Sequence, residues 1–372
     1  MLRIKPTLLA VAILASAQAS ASDDDLRING FMNITAGASS SDDSTVNGYD
    51  HTVSYATDSV MGLQILKQVN DSTSATVQLV ARGSEDFDLE ASWLYFTYSI
   101  DENTDVRMGR LRIPFYQYSD FLEVGYAYNW ISPPTLLYGQ TPFSSVTGID
   151  VAHKFTMGAA DAFVQAYTGR FNDSMMLGGD EYEVALAPIS GLVFGVTKDS
   201  LSARVSAHSA AVSIDAEAGG TRGLDQYLSA AQSFGVEDAF STDNVAILYY
   251  QASLAYDNGS TSAIIEMTSL DFDSAVLNNA TSYMIGGAQR LGDATTVHLT
   301  YSALDNSLES GVVGQLQAMT ENKESSIILG ARYDYDSSTA LKVEAEYNDE
   351  ELVMGAERKS NMLYRVGVSL VF

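Results

Sequence analysis

The chain has 372 residues, with 47 acidic side chains against 20 basic ones, a formal charge of −27 and no cysteine. These numbers exclude a disulfide-stapled small domain, a thiolate metal site and a polyanion-binding module, so no nucleic-acid partner is expected. Near-zero mean hydropathy with 18% charged residues fits an ordinary globular protein or a membrane β-barrel equally, because a barrel alternates lipid-facing and water-facing side chains.

Residues 1–21 read as a secretory signal peptide: Arg3 and Lys5 form a basic start, Thr7 to Ala17 is apolar, and Ala19-Ser20-Ala21 is a small-x-small cleavage site. The apolar run is short of the ~20 residues that span hydrocarbon as a helix. Cleavage leaves 22–372 as one domain, more acidic by the two lost cations. No later stretch approaches a spanning helix, so the mature chain is soluble after export or crosses a membrane as a closed barrel.

From Leu26 onward, segments of about ten residues alternate apolar and polar side chains, the period that sends neighbours to opposite faces of a strand. Strands are expected near 26–37, 52–69, 73–83, 90–100, 104–113, 147–157, 160–170, 182–198, 202–212, 244–256, 260–270, 280–291, 294–304, 324–335, 338–348 and 361–372. Pro188 and Gly191 interrupt the eighth, leaving 14 or 18 strands open beside 16. The clearest case sets Leu341, Val343, Ala345 and Tyr347 against Lys342, Glu344, Glu346 and Asn348. Connections are alternately very short, as at Asp101-Glu102-Asn103, and long, as over 39–50, 114–146, 213–243 and 305–323. That asymmetry suits a transmembrane antiparallel barrel with tight turns at one end and large loops at the other. Tyr256, Tyr301, Tyr335, Tyr347, Tyr364 and Phe372 fall near strand ends on the apolar face, where amphipathic rings favour a membrane interface. Within 213–243, Leu224, Leu228, Ala231 and Phe234 have helical spacing.

The last strand places Met362, Tyr364, Val366, Val368, Leu370 and Phe372 on one face and Arg365, Gly367 and Ser369 on the other. The order of Arg365, Gly367, Leu370 and a terminal Phe372 resembles the signal by which the barrel-assembly machinery recognises bacterial outer-membrane proteins. The resemblance implies that machinery and periplasmic chaperones as partners in biogenesis.

Strand five and its sequel run from Arg107 to Glu123, and residues 114–146 are too long and too aromatic for a plain connection, so they are expected to fold against something. In this order the pattern resembles the general trimeric porins of Gram-negative bacteria, whose fifth strand ends in a Gly-Arg step and whose third loop folds into the barrel. Pro133-Pro134 and the segment Tyr126 to Trp130 depart from that pattern. The resemblance implies an outer-membrane homotrimer of 16-stranded barrels, each a water-filled channel for small hydrophilic solutes, without a cofactor or a metal.

If Leu111 and Ile113 face lipid, Arg110 and Arg112 face the lumen; with Arg82 on the wall and Asp120 and Glu123 on the loop they would set a transverse field across a constriction. Arg204, His298, Arg332, Lys342, Glu344, Glu346 and Arg365 are expected on the water side. Loop charge is screened beyond about 8 Å, so weak selectivity leaning to cations is expected. Acidic loops also suit divalent-cation bridging to lipopolysaccharide at a lipid-embedded rim. His153 sits at an outward position between Val151 and Phe155, a weak mark of a subunit contact. A substrate-specific channel for phosphate, sugars or dicarboxylates, a barrel hydrolase and an adhesin remain as alternatives. His51, His153, His208 and His298 form no local catalytic motif.

Overall fold

The computed structural model describes residues 26–41, 45–141, 143–177, 179–318, 322–352 and 359–372. The signal-peptide reading of 1–21 lies outside them. Sixteen strands close into one antiparallel barrel in which each pairs with its chain neighbours and the first pairs with the last. They are β1 (Leu26–Ser39), β2 (Val60–Asn70), β3 (Thr73–Arg82), β4 (Leu89–Asp101), β5 (Thr104–Arg112), β6 (Ser145–Met157), β7 (Ala160–Leu177) and β8 (Asp180–Lys198). The second half comprises β9 (Leu201–Ile214), β10 (Val245–Asp257), β11 (Thr261–Phe272), β12 (Asn279–Leu291), β13 (Thr295–Ser307), β14 (Asn322–Asp334), β15 (Thr339–Leu352) and β16 (Lys359–Val371). Closure leaves no unpaired edge, the condition for strands to cross hydrocarbon.

Closure joins Phe31↔Val371 through Ser39↔Leu363. It is tightest at Gly30, whose N–H donates to the Phe372 carbonyl at 2.7 Å and whose carbonyl accepts the Phe372 N–H at 3.0 Å. A Cβ on Gly30 would stand 2.2 Å from the Phe372 ring, so the terminal ring needs a glycine opposite it. Outside, Tyr335, Tyr364 and Phe372 are exposed, and Leu329, Val343 and Val366 form the apolar belt between such rings.

Boundaries differ from expectation at β2 and at the β7–β8 hairpin, while the eighth strand is single as expected. β2 starts at Val60 and not 52, because 45–59 folds as a loop whose Tyr49 is fully buried against Leu363 and hydrogen-bonds Asp58 at 2.9 Å. Strand eight is single: the irregularity at Pro188 is absorbed by a register shift between Leu186 and Ile189 against β9. β7 and β8 run on as a hairpin to Leu177 and Asp180, because Met175, Tyr182 and Val184 alternate inward and pack beneath α2 (Gly223–Ser233). Leu224, Leu228 and Ala231 are the buried face of that helix, the stripe visible in the sequence, while Phe234 just beyond it is exposed. α3 (Gly311–Gln317) joins the same cluster through Leu316.

Candidate functional site in the barrel lumen

The long connection between β5 and β6, described over residues 113–141 and 143–144, turns into the barrel and carries two 3-10 turns and the short helix α1 (Thr135–Tyr138). Its aromatic residues explain the direction. Phe115, Tyr116, Tyr128, Trp130 and Tyr138 bury against Tyr167, Ile189, Tyr249, Ile264, Met284 and Ile328, inward residues of six wall strands. Apolar side chains at inward positions of a wide barrel have no other way out of water than to meet a loop that enters it.

Polar contacts then fix the loop along most of the wall. Lys342 Nζ donates to the carbonyls of Gly125 at 2.6 Å and Tyr128 at 2.9 Å, and to that of Trp130. Arg332 donates to the Tyr126 and Tyr128 carbonyls at 2.7 and 2.9 Å. Glu344 accepts the Ile131 N–H at 2.7 Å, and Arg365 reaches Ser132 at 2.7 Å, Asp58 at 3.0 Å and Glu346 at 2.9 Å. Trp130 Nε1 donates to Thr300 at 2.9 Å. Farther round, Glu266 accepts the Gln117 N–H at 2.8 Å and the Tyr138 hydroxyl at 2.6 Å, while Arg204 donates to the Pro114 carbonyl and to Gln251. Burial, reinforced by the Glu266 charge, holds the Tyr138 phenol well above its ordinary value; burial pushes that of Tyr116 up to about 12.

Every residue expected on the water side therefore does point inward and is buried, with a different consequence: Arg204, Arg332, Lys342, Glu344 and Arg365 clamp the loop. Glu346 is bound up with Arg365, and His298 Nε2 lies 3.6 Å from Glu344.

The opposite sector is organised by paired charges. Arg82 Nη2 meets Glu123 at 2.8 Å and its Nη1 meets Glu90 at 2.8 Å; Arg112 reaches the same Glu123 oxygen at 3.3 Å. Burial alone would raise the Glu123 carboxyl, but Arg112 and Arg82 outweigh it and hold it below the usual carboxylate range. The loop acid and two of the three expected arginines thus come together.

Two expectations are corrected. Leu111 and Ile113 do not face lipid: both are buried inside, in the aromatic cluster. Arg110 starts from the outward parity instead, since it pairs with Leu94 and its neighbour Met108 with Phe96, and Leu94, Phe96 and Met108 are 55%, 57% and 60% exposed. Its guanidinium reaches Glu90, at the rim of the cluster. The strand admits this through Gly109, at φ +141° with the Leu94 carbonyl oxygen 2.1 Å from where a Cβ would stand. Asp120 meets none of the three arginines and is exposed, while Arg107 pairs with Asp150 at 2.7 Å. Glu90, Arg107, Asp150 and Glu266 were not singled out from the sequence. Glu266 was the most findable, a carboxylate at inward parity between Ile265 and Met267.

Between the loop and the short-turn end lies a cavity of about 840 Å³ lined by Trp130, His298, Arg332, Asp257 and Arg290 among others. Smaller spaces of about 180 and 30 Å³ both border Asp120.

No protein-family model matches the chain, and no curated protein matches it. Solved structures do. The outer membrane channel DcaP of Acinetobacter baumannii superposes with a TM-score of 0.63 at 12% identity, covering 96% of this chain and 100% of that one. An anion-selective porin from Comamonas acidovorans gives 0.58 at 14% over 93% and 99%. The outer membrane protein OmpT of Vibrio cholerae, in its trimer form, gives 0.55 at 13% over 94% and 100%. At such identities the likeness is one of fold: the closed 16-stranded barrel of outer-membrane porins.

Proposed function

We propose that the mature protein is a passive channel of the Gram-negative outer membrane, not an enzyme, and that it carries small hydrophilic solutes and ions along the charged sector of its lumen. The observation that carries this reading is the inward loop, which brings Glu123 onto Arg82 and Arg112 while leaving Asp120 exposed. Charges of both signs across a narrow water layer orient that water, favour ions and polar solutes that replace it, and disfavour apolar ones. Because the loop is bound to the rest of the wall, the path is narrower than a general diffusion pore of the same strand count would have. The long-loop end faces outward and the short-turn end, with both strand termini, faces the periplasm.

The same reading makes the chain a homotrimer exported by its signal peptide and inserted by the barrel-assembly machinery after passage with periplasmic chaperones. Its lipid belt sits in the membrane and its acidic loops meet lipopolysaccharide. Native mass spectrometry in mild detergent is expected to give three copies; monomers alone would remove the trimer. Planar-bilayer recording of the refolded mature protein under a salt gradient tests the channel. Small, long-lived steps with a weak cation reversal potential are expected. A folded barrel that never conducts would overturn the reading.

A further inference from the structure

One part of the lumen contradicts a purely hydrophilic path. At the long-loop end, the inward positions of β7 to β11 are apolar: Met175, Val184, Leu186, Val212, Ile214 and Ile247 face inward where a wetted wall has polar residues. Between them and the inward loop, at Phe115 and Phe143, is a cavity of about 90 Å³. Among the described residues no Asp, Glu, Lys or Arg lines it; its polar lining is Gln140, Thr141, Ser209, His208 and the hydroxyl of Tyr249, and the His208 ring is already bonded to Tyr167 and Ser206 at 2.9 Å each. An apolar space of this kind stays dry, and one of about 150 Å³ takes benzene or xenon. A space of about 90 Å³ fits a shorter chain of a few carbons.

The rim above it has the opposite character. Asp215, Glu217 and Asp243 are exposed on the connection between β9 and β10, and Asp173 is exposed on β7 at the inward position paired with Val184. The one Lys or Arg within 171–185 and 213–246 is Arg222, itself tied to Asp215 at 3.3 Å and Asp225 at 3.0 Å. Dry apolar walls below an uncompensated acidic rim fit one chemistry: an apolar tail on a cationic head.

We propose that this cavity is a binding site for small primary ammonium ions carrying a short alkyl or aryl tail, the tail in the cavity and the ammonium toward the acidic rim. The proposal adds a solute class to the channel reading, yet the site stands whether or not current flows, so binding and conduction are measured separately. Ligand pockets have this composition, an apolar lining with few polar groups that fix orientation. The acidic rim raises the local concentration of cations and speeds their capture.

The test is saturation-transfer NMR on the refolded protein in lipid nanodiscs, with methylammonium, n-butylammonium and n-butanol as probes. Each buried methylene adds roughly fourfold in affinity, so n-butylammonium is expected to bind on the order of fiftyfold more tightly than methylammonium. It should also bind more tightly than n-butanol, by a margin that shrinks as salt is raised. Ala210→Leu, which fills the cavity from β9, is expected to abolish n-butylammonium binding. Val212→Ala, which enlarges it, should shift preference to n-hexylammonium and keeps the test valid if the first variant fails to fold. Equal binding of n-butylammonium and methylammonium, equal binding of n-butylammonium and n-butanol, or binding indifferent to the cavity variants would each overturn the site.

Discussion

Two sectors of one lumen hold the same inward loop by different means, and the contrast shows when a charge is a clamp and when it is part of a path. On the β14 to β16 side, Lys342 and Arg332 are spent on backbone carbonyls of 125–130, and Glu344 on a backbone N–H. Carbonyls held this way have no alternative partner once water is excluded, so the cation there is structural. On the β3 to β5 side, Arg82 and Arg112 meet the Glu123 carboxylate, and Arg82 and Glu123 stay 18% and 15% exposed. Side-chain charge that still touches water can act on a passing ion.

The strongest way to break this contrast is to remove the clamp. Lys342→Met keeps the length of the side chain and deletes the charge, leaving the Gly125 and Trp130 carbonyls without it while Arg332 still holds that of Tyr128. Each unsatisfied buried carbonyl costs about 1–3 kcal/mol, so loop docking should be lost while the barrel persists. Open-channel conductance is expected to rise at least about twofold, with proteolytic nicking appearing within 125–132. Unchanged conductance in a folded variant would show that the loop does not limit flow. Glu266→Gln on β11 is a milder cut, since an amide still accepts from Gln117 or Tyr138 but loses charge assistance. A loss of about 1–2 kcal/mol is expected, read as a lower midpoint of thermal unfolding with little change in conductance.

The contrast sharpens at Glu123. Glu123→Gln leaves Arg82 and Arg112 facing the lumen without their shared carboxylate, so the reversal potential under a salt gradient should move toward anions while strand content is unchanged. In the wild type, the folded-state pKa of Glu123 is depressed, so its contribution to loop docking is present above the free carboxylate value of about 4.3 and is lost only as pH falls through the lower, folded value. Selectivity due to this group should therefore survive acidification to pH about 4. A titration of the reversal potential that collapses well above that pH would remove Glu123 from the path.

Much of the fold was legible because its cause is local. Alternation along 341–348 needs only the pleat, and the ring of sixteen follows from counting such segments between short and long connections. The alternation of the last strand up to Phe372 was readable for the same reason. What was not legible depends on the third dimension. The parity of strand five was inverted because an apolar Leu111 or Ile113 reads as lipid-facing, and nothing local says that an aromatic loop stands inside to receive it. The partner Glu90 was missed because it becomes a neighbour of the arginine cluster only when the barrel closes and the loop turns inward. Inward-facing residues were found one by one, yet their work as clamps rests on backbone carbonyls, which a sequence pattern does not rank.

The smallest expected effect separates the wall from its rim. Arg110→Ala removes a guanidinium that begins on the lipid-facing parity and reaches Glu90, a pair with both side chains about one-third exposed. Such pairs contribute about 0–1 kcal/mol, and Glu90 keeps Arg82 as a partner at 2.8 Å. Thermal stability should change by no more than that, and the reversal potential far less than in Glu123→Gln, because the charge lost lies beside the path. If Arg110→Ala instead shifts selectivity as strongly as Glu123→Gln, ions must pass close to Glu90 as well, and the conducting route reaches the barrel wall at β4 and does not run between the loop and β3 alone.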